Sequence, residues 1–348
     1  MKTISIFNQK GGVGKTTSVV NLSVALAKFG KKVLVIDFDP QANTTTGLGF
    51  DKNNQEKSVY KMFYDEEGNY KDYIVKSEDG PYLIPSENSL SGLEVELVSL
   101  DQEERLQMLD QIIKEIKDDF DLILIDCPPS LGLLSLNALV ASDSIIIPIQ
   151  TEYYALEGVS ELLKTYNTIK SSIKEDLEIE GVLLCMFDKK TNLSYEVCEE
   201  VKRFFKEKVF RTMIPRNIKL AEAPSFGKSV ILYDEKSKGA RAYMALAKEI
   251  IENIFMENDL EKDSNEEKTE EKKESEEGTE ILDENKEMIK ESSDKSIDEN
   301  LGDHKKIDEG KEIIDKKDEE DKKFEDGIVK KNKFSFDQNK LINNEKRD

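Results

Sequence analysis

The amino-acid sequence predicts an α/β fold: a doubly wound, mostly parallel sheet with helices on both faces, followed by a disordered acidic tail. Three observations carry this. Short, nearly continuous apolar runs such as KVLVID (32–37) and DLILID (121–126) have the pattern of strands buried on both faces. Segments with helical spacing of apolar residues alternate with them, as βαβ units require. From Met256 onward the apolar runs stop, and Lys, Glu, Asp, Ser and Asn dominate.

In order, TISIF (3–7) is the first buried strand, and a glycine-rich turn follows from Asn8 to Gly14. Residues 15–29 have helical character, with Gly30 placed to end the helix in a left-handed conformation. Residues 32–37 form the second strand, and 50–80 are polar and irregular. The spacing of Leu106, Leu109, Ile112, Ile113 and Ile116 predicts one long helix over 94–119. Strands are expected at 121–126, 144–149 and 181–187, with a shorter sixth at 209–214. Helices are expected at 155–172 and 193–207. A last one, about 239–256, carries Tyr243, Leu246, Ile250 and Ile254 on one face.

Charge divides the chain at the same place. Residues 257–348 hold 33 Asp/Glu and 20 Lys/Arg, and residues 1–256 hold 40 and 31, so the formal net charge of −22 splits into −13 and −9. The expected organisation is a folded domain over 1–256 and a self-repelling, highly charged tail over 257–348. KKNKFSFDQNKLI, near the far end, contains Phe334 and Phe336 and reads either as a short docking motif or as an incidental apolar patch.

Composition excludes several chemistries. The three cysteines, Cys127, Cys185 and Cys198, form no CxxC pair, which argues against a disulfide framework or a zinc site. The one histidine, His304, lies in the tail, so histidine catalysis in the core is excluded. The N-terminus does not read as a signal peptide, and no run approaches the roughly 20 apolar residues of a membrane span. A soluble, cytoplasmic protein is expected.

The strongest motif is Lys10-Gly11-Gly12-Val13-Gly14-Lys15-Thr16-Thr17, between a strand and a helix. Glycines let successive N–H groups curl around phosphate oxygens, and the helix start adds partial positive charge. Lys15 can reach β- and γ-phosphates, and the Thr16 hydroxyl can join a Mg²⁺ shell. The common GxxxxGK[ST] pattern needs glycine at position 9; Gln9 stands there, and Lys10 adds a second cation.

Three carboxylates fall at strand ends. Asp37 and Asp39, two apart in VLVIDFDPQAN, point to one side of an extended segment, and Asp126 ends DLILID. In doubly wound folds ligands bind at the carboxyl ends of the strands, so all three can face the phosphate loop. Such residues also serve as helix caps or solvated loop positions. A nucleotide site gives them work as Mg²⁺ ligands or as the group that positions an attacking water.

The loop KGGVGKT is similar to the deviant Walker A loop of the ParA/MinD branch of P-loop ATPases. DFDPQANTTTGLG (37–49), DCPPSLGLLSLNAL (126–139), PIQTEYYALEG (148–158), MFDKKTNLS (186–194) and IPRNIKLAEAPSFGKSVILYD (214–234) resemble Soj-type ParA sequences. The resemblance spans residues 1–255. It implies ATP and Mg²⁺ as cofactors, with Lys10 crossing a dimer interface to the partner's nucleotide. Asp126 corresponds to the Walker B aspartate, Asp39 to the switch aspartate on which hydrolysis depends, and Asp37 lies in the magnesium shell. Met186, Asp188 and Pro215 would lie against adenine. Lys190 and Lys219 match basic DNA-contact positions that are usually arginine, so charge is kept and the bidentate fork is lost. Lys189, Arg216, Lys228 and Arg241 are further candidates.

The resemblance also implies a cycle. ATP promotes a homodimer, the dimer binds double-stranded DNA of any sequence, and a ParB-like protein stimulates slow hydrolysis and release. A nucleoid-associated location follows, and without an N-terminal helix-turn-helix no operator binding is expected. A MinD-like membrane ATPase would need a basic amphipathic C-terminal helix, whereas the residues after Met256 are acidic and repel anionic lipid. An iron–sulfur enzyme of the same fold would need suitably placed cysteines. Cys127 directly follows Asp126 and Cys185 sits within a strand, so neither fits. A scaffold that recruits partners through its tail is compatible with the partitioning role.

Overall fold

The computed structural model describes residues 1–256 apart from 66, 79, 102, 153 and 154; the expected tail over 257–348 lies outside the described residues. The strands are β1 (Lys2–Ile6), β2 (Val33–Asp37), β3 (Val75–Lys76), β4 (Tyr82–Ile84), β5 (Leu122–Asp126), β6 (Ser144–Gln150) and β7 (Glu178–Cys185). They form one sheet in the order β3-β4-β2-β5-β1-β6-β7. All neighbours are parallel except β3, which pairs antiparallel with β4 at the edge. This is the doubly wound α/β architecture the sequence predicts.

Alternate side chains of these strands feed two cores. One takes Leu34, Ile36, Ile123, Ile125, Ile145 and Ile147; the other takes Ile4, Ile6, Val33, Val35, Leu122 and Leu124. Every residue of β2 and β5 is buried, and each large aliphatic side chain so placed contributes about 1.5–3 kcal/mol.

The helices cover both faces. They are α1 (Lys15–Lys28), α2 (Asn43–Gly47), α3 (Val59–Met62), α4 (Leu90–Leu97), α5 (Glu104–Ile116), α6 (Leu133–Val140), α7 (Ala155–Ser172), α8 (Asn192–Phe205), α9 (Ile218–Glu222), α10 (Val230–Tyr233) and α11 (Lys238–Ile251). Apolar residues of α3 to α8 fill the first core, and those of α1, α10 and α11 fill the second. α1 ends as expected: Gly30 takes φ +81° and its amide bonds to Ala27 O at 2.9 Å.

The long helix expected over 94–119 is two helices, α4 and α5. The Asp101 carboxylate accepts from the amides of Glu103 and Glu104 at 3.1 and 3.0 Å and starts α5 afresh. The expected strand at 209–214 is only a bridge between Val182 and Val209, with a second between Phe187 and Pro215. The amides of Arg211 and Thr212 turn instead to the buried Glu249 carboxylate of α11, at 2.7 and 3.0 Å. The last helix closes with a π-helical turn at Glu252–Met256.

Sheet order has one consequence for chemistry. β2, β5 and β1 are neighbours, and their register pairs Asp37 with Asp126 and Asp126 with Ile6. Two acids and the exit of β1 therefore meet at one carboxyl edge.

Candidate functional site

The loop after β1 is closed by its own lysine. Lys15 is 7% exposed, and its ammonium donates to Asn8 O at 2.9 Å and Lys10 O at 3.3 Å. An ammonium has three protons, so it carries one donor more than these two acceptors use. Burial pushes its pKa down, and the nearby carboxylates of Asp126 and Asp39 oppose that. Asn8 pins the loop to β6 through Pro148 O at 2.8 Å and accepts the Lys10 amide at 2.9 Å. Gly12 and Gly14 take φ of +77° and +104°, values that glycine reaches without steric cost. Gln9, where the common motif has glycine, donates to Thr165 of α7 at 3.2 Å.

Asp37 and Asp126 are fully buried and Asp39 is 7% exposed. Burial, then the charge of Asp126, pushes the Asp37 carboxyl above the ordinary range, while the Thr45 hydroxyl and amide, both at 2.7 Å, oppose it. Burial likewise raises Asp126, against the hydrogen bond from Thr44 (2.6 Å) and the nearby Thr16 hydroxyl. Asp39 is oriented by the Gln41 amide on Oδ1 at 2.9 Å, and Ser86 holds its carbonyl at 2.8 Å. The structure thus brings Asp126, Thr16 and Lys15 together, with Asp37 and Asp39 beside them.

One atom tests whether this donor set fits a cation. Asp126 Oδ1 is buried and has no hydrogen-bond partner among the described residues, an arrangement that ordinarily costs free energy. Among the described residues no three His, Cys, Asp or Glu side chains cluster as a metal cage. Mg²⁺ does not need one: it uses one or two carboxylates, a hydroxyl, water and substrate phosphates. Asp126 and Thr16 fit that demand, with Asp37 behind them.

Next to the loop lies a cavity of about 340 Å³, lined among others by Gly14, Thr17, Cys185, Met186, Pro215 and Tyr243. Its size and mostly apolar wall suit a flat aromatic group. Of the residues expected beside adenine, Met186 and Pro215 line it, and Met186 does so in the left-handed region at φ +55°. Asp188 is not among the lining residues; its carboxylate accepts the Lys190 amide at 2.9 Å and shapes the 188–191 turn. Sequence reasoning placed Tyr243 only in the core and missed Thr44, Thr45 and Asn8. The TTT run after DFDPQAN was the visible signal for the threonines.

The two candidate DNA lysines sit on adjacent segments, since Arg216 N bonds to Phe187 O at 3.1 Å. Lys190 is exposed and makes no ion pair among the described residues. Lys219 pairs with Glu222 at 2.8 Å. Arg216 pairs with Glu152 at 2.7 Å.

Known proteins resemble this chain in sequence and in fold. A family model described as an AAA domain matches residues 1–179. The sporulation initiation inhibitor protein Soj of Bacillus subtilis (strain 168) is 50% identical over 253 residues, covering 72% of this chain and 99% of that protein. The chain belongs to the Soj/ParA family of partitioning ATPases. Within that family, the chromosome partitioning protein ParA of Myxococcus xanthus (strain DK1622) is 45% identical over 252 residues, 72% of this chain and 88% of its own length. Among solved structures, cobyrinic acid a,c-diamide synthase from Mycobacterium smegmatis with bound ADP and magnesium matches with TM-score 0.63 at 32% identity, covering 72% and 94%. The cell division ATPase MinD of Pyrococcus furiosus matches with TM-score 0.58 at 29% identity, covering 72% and 98%. The Soj-type resemblance and the P-loop fold read from the sequence both stand.

Proposed function

We propose that this protein is an ATP-switched partitioning ATPase whose dimer binds DNA without sequence preference and is released when a ParB-like partner stimulates hydrolysis. The observation that carries this is the meeting of Lys15, Thr16, Asp39 and Asp126 at the carboxyl edge of β1, β2 and β5, beside a cavity sized for a nucleobase. Membership of the Soj/ParA family supports the partitioning role, and a cytoplasmic, nucleoid-associated setting is part of the same proposal.

Each residue has a separable task. The amides of Gly11 to Thr17 and the Lys15 ammonium bind the phosphates, and the Gly14–Thr17 end hands the base to Met186 and Pro215. Thr16 and Asp126, with Asp37 behind, would hold Mg²⁺, which when bound offsets charge on the phosphates. Asp39 positions the attacking water. Lys10, whose ammonium makes no ion pair among the described residues, reaches the partner's nucleotide across the dimer. Lys190 and Lys219 contact DNA phosphates. Residues 257–348 hold 33 Asp/Glu against 20 Lys/Arg and carry most of the net negative charge.

DNA retention measured with ATP, ADP and no nucleotide tests this. Binding is expected with ATP alone, equally on unrelated sequences, and weaker at higher salt because phosphate contacts release counterions. Lys190→Glu should weaken it on every sequence alike. Binding indifferent to nucleotide would remove the switch from the account.

A further inference from the structure

One acid beside the DNA-facing cations is held more firmly than a surface residue needs to be. Glu222 Oε2 accepts from the Lys219 ammonium at 2.8 Å and from the Tyr233 hydroxyl at 3.1 Å. The same ammonium stands 5.3 Å from the centroid of the Tyr233 ring, and Phe226 stacks on that ring at 5.0 Å. Four side chains from α9, α10 and the turn between them thus share one cluster. Its charges are fixed: the hydrogen bond to Glu222 holds Lys219 above its ordinary pKa, and those from Lys219 and Tyr233 hold Glu222 below.

The cluster is joined to the base cavity. Ile218 and Leu220, on either side of Lys219, line that cavity together with Asn217. The Asn217 side chain also caps α9 by accepting the Lys219 amide at 2.8 Å. Gly239 of α11 backs the helix so closely that a Cβ there would lie 2.8 Å from Leu220 Cγ. α9 is a short, wedged element with the base cavity at Ile218 and Leu220 and the ion pair at Lys219.

We propose that Glu222 is a built-in competitor for DNA phosphate: it occupies Lys219 while DNA is absent and must be displaced when DNA binds. The inference rests on the reading of Lys219 as a DNA contact. A phosphate oxygen that takes the place of Glu222 on the ammonium brings a second negative charge within a few ångströms of a carboxylate that Tyr233 still holds. Like charges that close repel, most strongly at low ionic strength. The opposite role, in which Glu222 aims Lys219 at DNA, gives the opposite sign in the test below.

The experiment is DNA affinity with ATP, at two salt concentrations, for the full chain and for Glu222→Gln, Lys219→Ala and the double variant, with ATP affinity titrated in parallel. Glutamine keeps an oxygen that accepts from Tyr233 and removes only the charge. Glu222→Gln should tighten DNA binding about 3- to 10-fold at low salt, with less gain at high salt. Lys219→Ala should weaken it, and most of the Glu222→Gln gain should vanish in the double variant. If Lys219→Ala leaves affinity unchanged, the DNA-contact reading itself fails and this inference falls with it. If Lys219→Ala weakens binding but Glu222→Gln does not tighten it, only this inference is overturned. A gain that persists without Lys219, or that matches a gain in ATP affinity, also overturns it. Should Glu222→Gln misfold, Tyr233→Phe removes one tether of the carboxylate and should give a smaller gain in the same direction; no gain would count against the proposal.

Discussion

Asp37 and Asp126 are register partners on neighbouring parallel strands, and both side chains are fully buried at the same sheet edge. Two carboxylates so placed cannot both ionise freely without a cation between or beside them. Burial, then the charge of Asp126, raises the Asp37 carboxyl to about 8, and burial raises Asp126 to about 6.

A pH dependence of stability follows. The folded chain binds these protons more tightly than the unfolded chain does, so the stability they lend is full below the ordinary carboxylate pKa of about 4. It is lost as pH rises through about 6 for Asp126 and about 8 for Asp37. Calorimetry on nucleotide-free protein in chelator should show the melting temperature falling between about pH 4 and about pH 8. Asp37→Asn should flatten that slope; an unchanged slope would show that the pair is not its source.

The two lysines of the loop should separate. Lys15→Ala removes the buried cation proposed to bind phosphates and should weaken ATP binding by about 100-fold or more. Lys10→Ala should leave ATP affinity within about threefold, because its proposed role lies across the dimer, yet the protein should stay monomeric with ATP. Nucleotide titration and light scattering check both, and normal dimerisation of Lys10→Ala would rule out the cross-interface role.

Asp39→Ala should bind ATP and dimerise while hydrolysing about 100-fold or more slowly, since the proposed water-positioning group is lost and the phosphate loop is kept. It should also remain on DNA longer. Phosphate release at wild-type rate would reassign the water to another group.

Packing gives a further test, away from the site. A Cβ on Gly181 of β7 would lie 2.4 Å from the Phe210 ring. Gly181→Ala should therefore destabilise the domain by about 1–3 kcal/mol, seen as a lower melting temperature. An unaltered melting temperature would mean that the 209–214 segment yields easily.

Most of the site was legible because it is local: eight consecutive residues make the loop, and Asp37, Asp39 and Asp126 end apolar runs. The residues that hold those acids were not, because Thr44 reaches Asp126 across 82 positions and Ser86 reaches Asp39 across 47. α7 occupies the expected 155–172. β3 and β4 were missed because they are two and three residues long, with Pro81 and Pro85 bounding β4. The 94–119 helix was overextended although Asp101-x-x-Glu104 carries a capping signal. The 209–214 segment keeps backbone bonds to β7 only at Phe210 and Ile214, because Glu249 takes the amides of Arg211 and Thr212, 38 and 37 residues away.

If ATP assembles a DNA-binding dimer through this site, protein mass and DNA binding rise together with ATP. Sedimentation of the full chain on a short DNA of arbitrary sequence, with ATP and Mg²⁺ or with ADP and Mg²⁺, tests it most directly. A doubled protein mass and co-sedimentation with DNA are expected under ATP only, and neither for Lys15→Ala. A monomer under ATP, or the same DNA-bound mass with ATP and ADP, would contradict it.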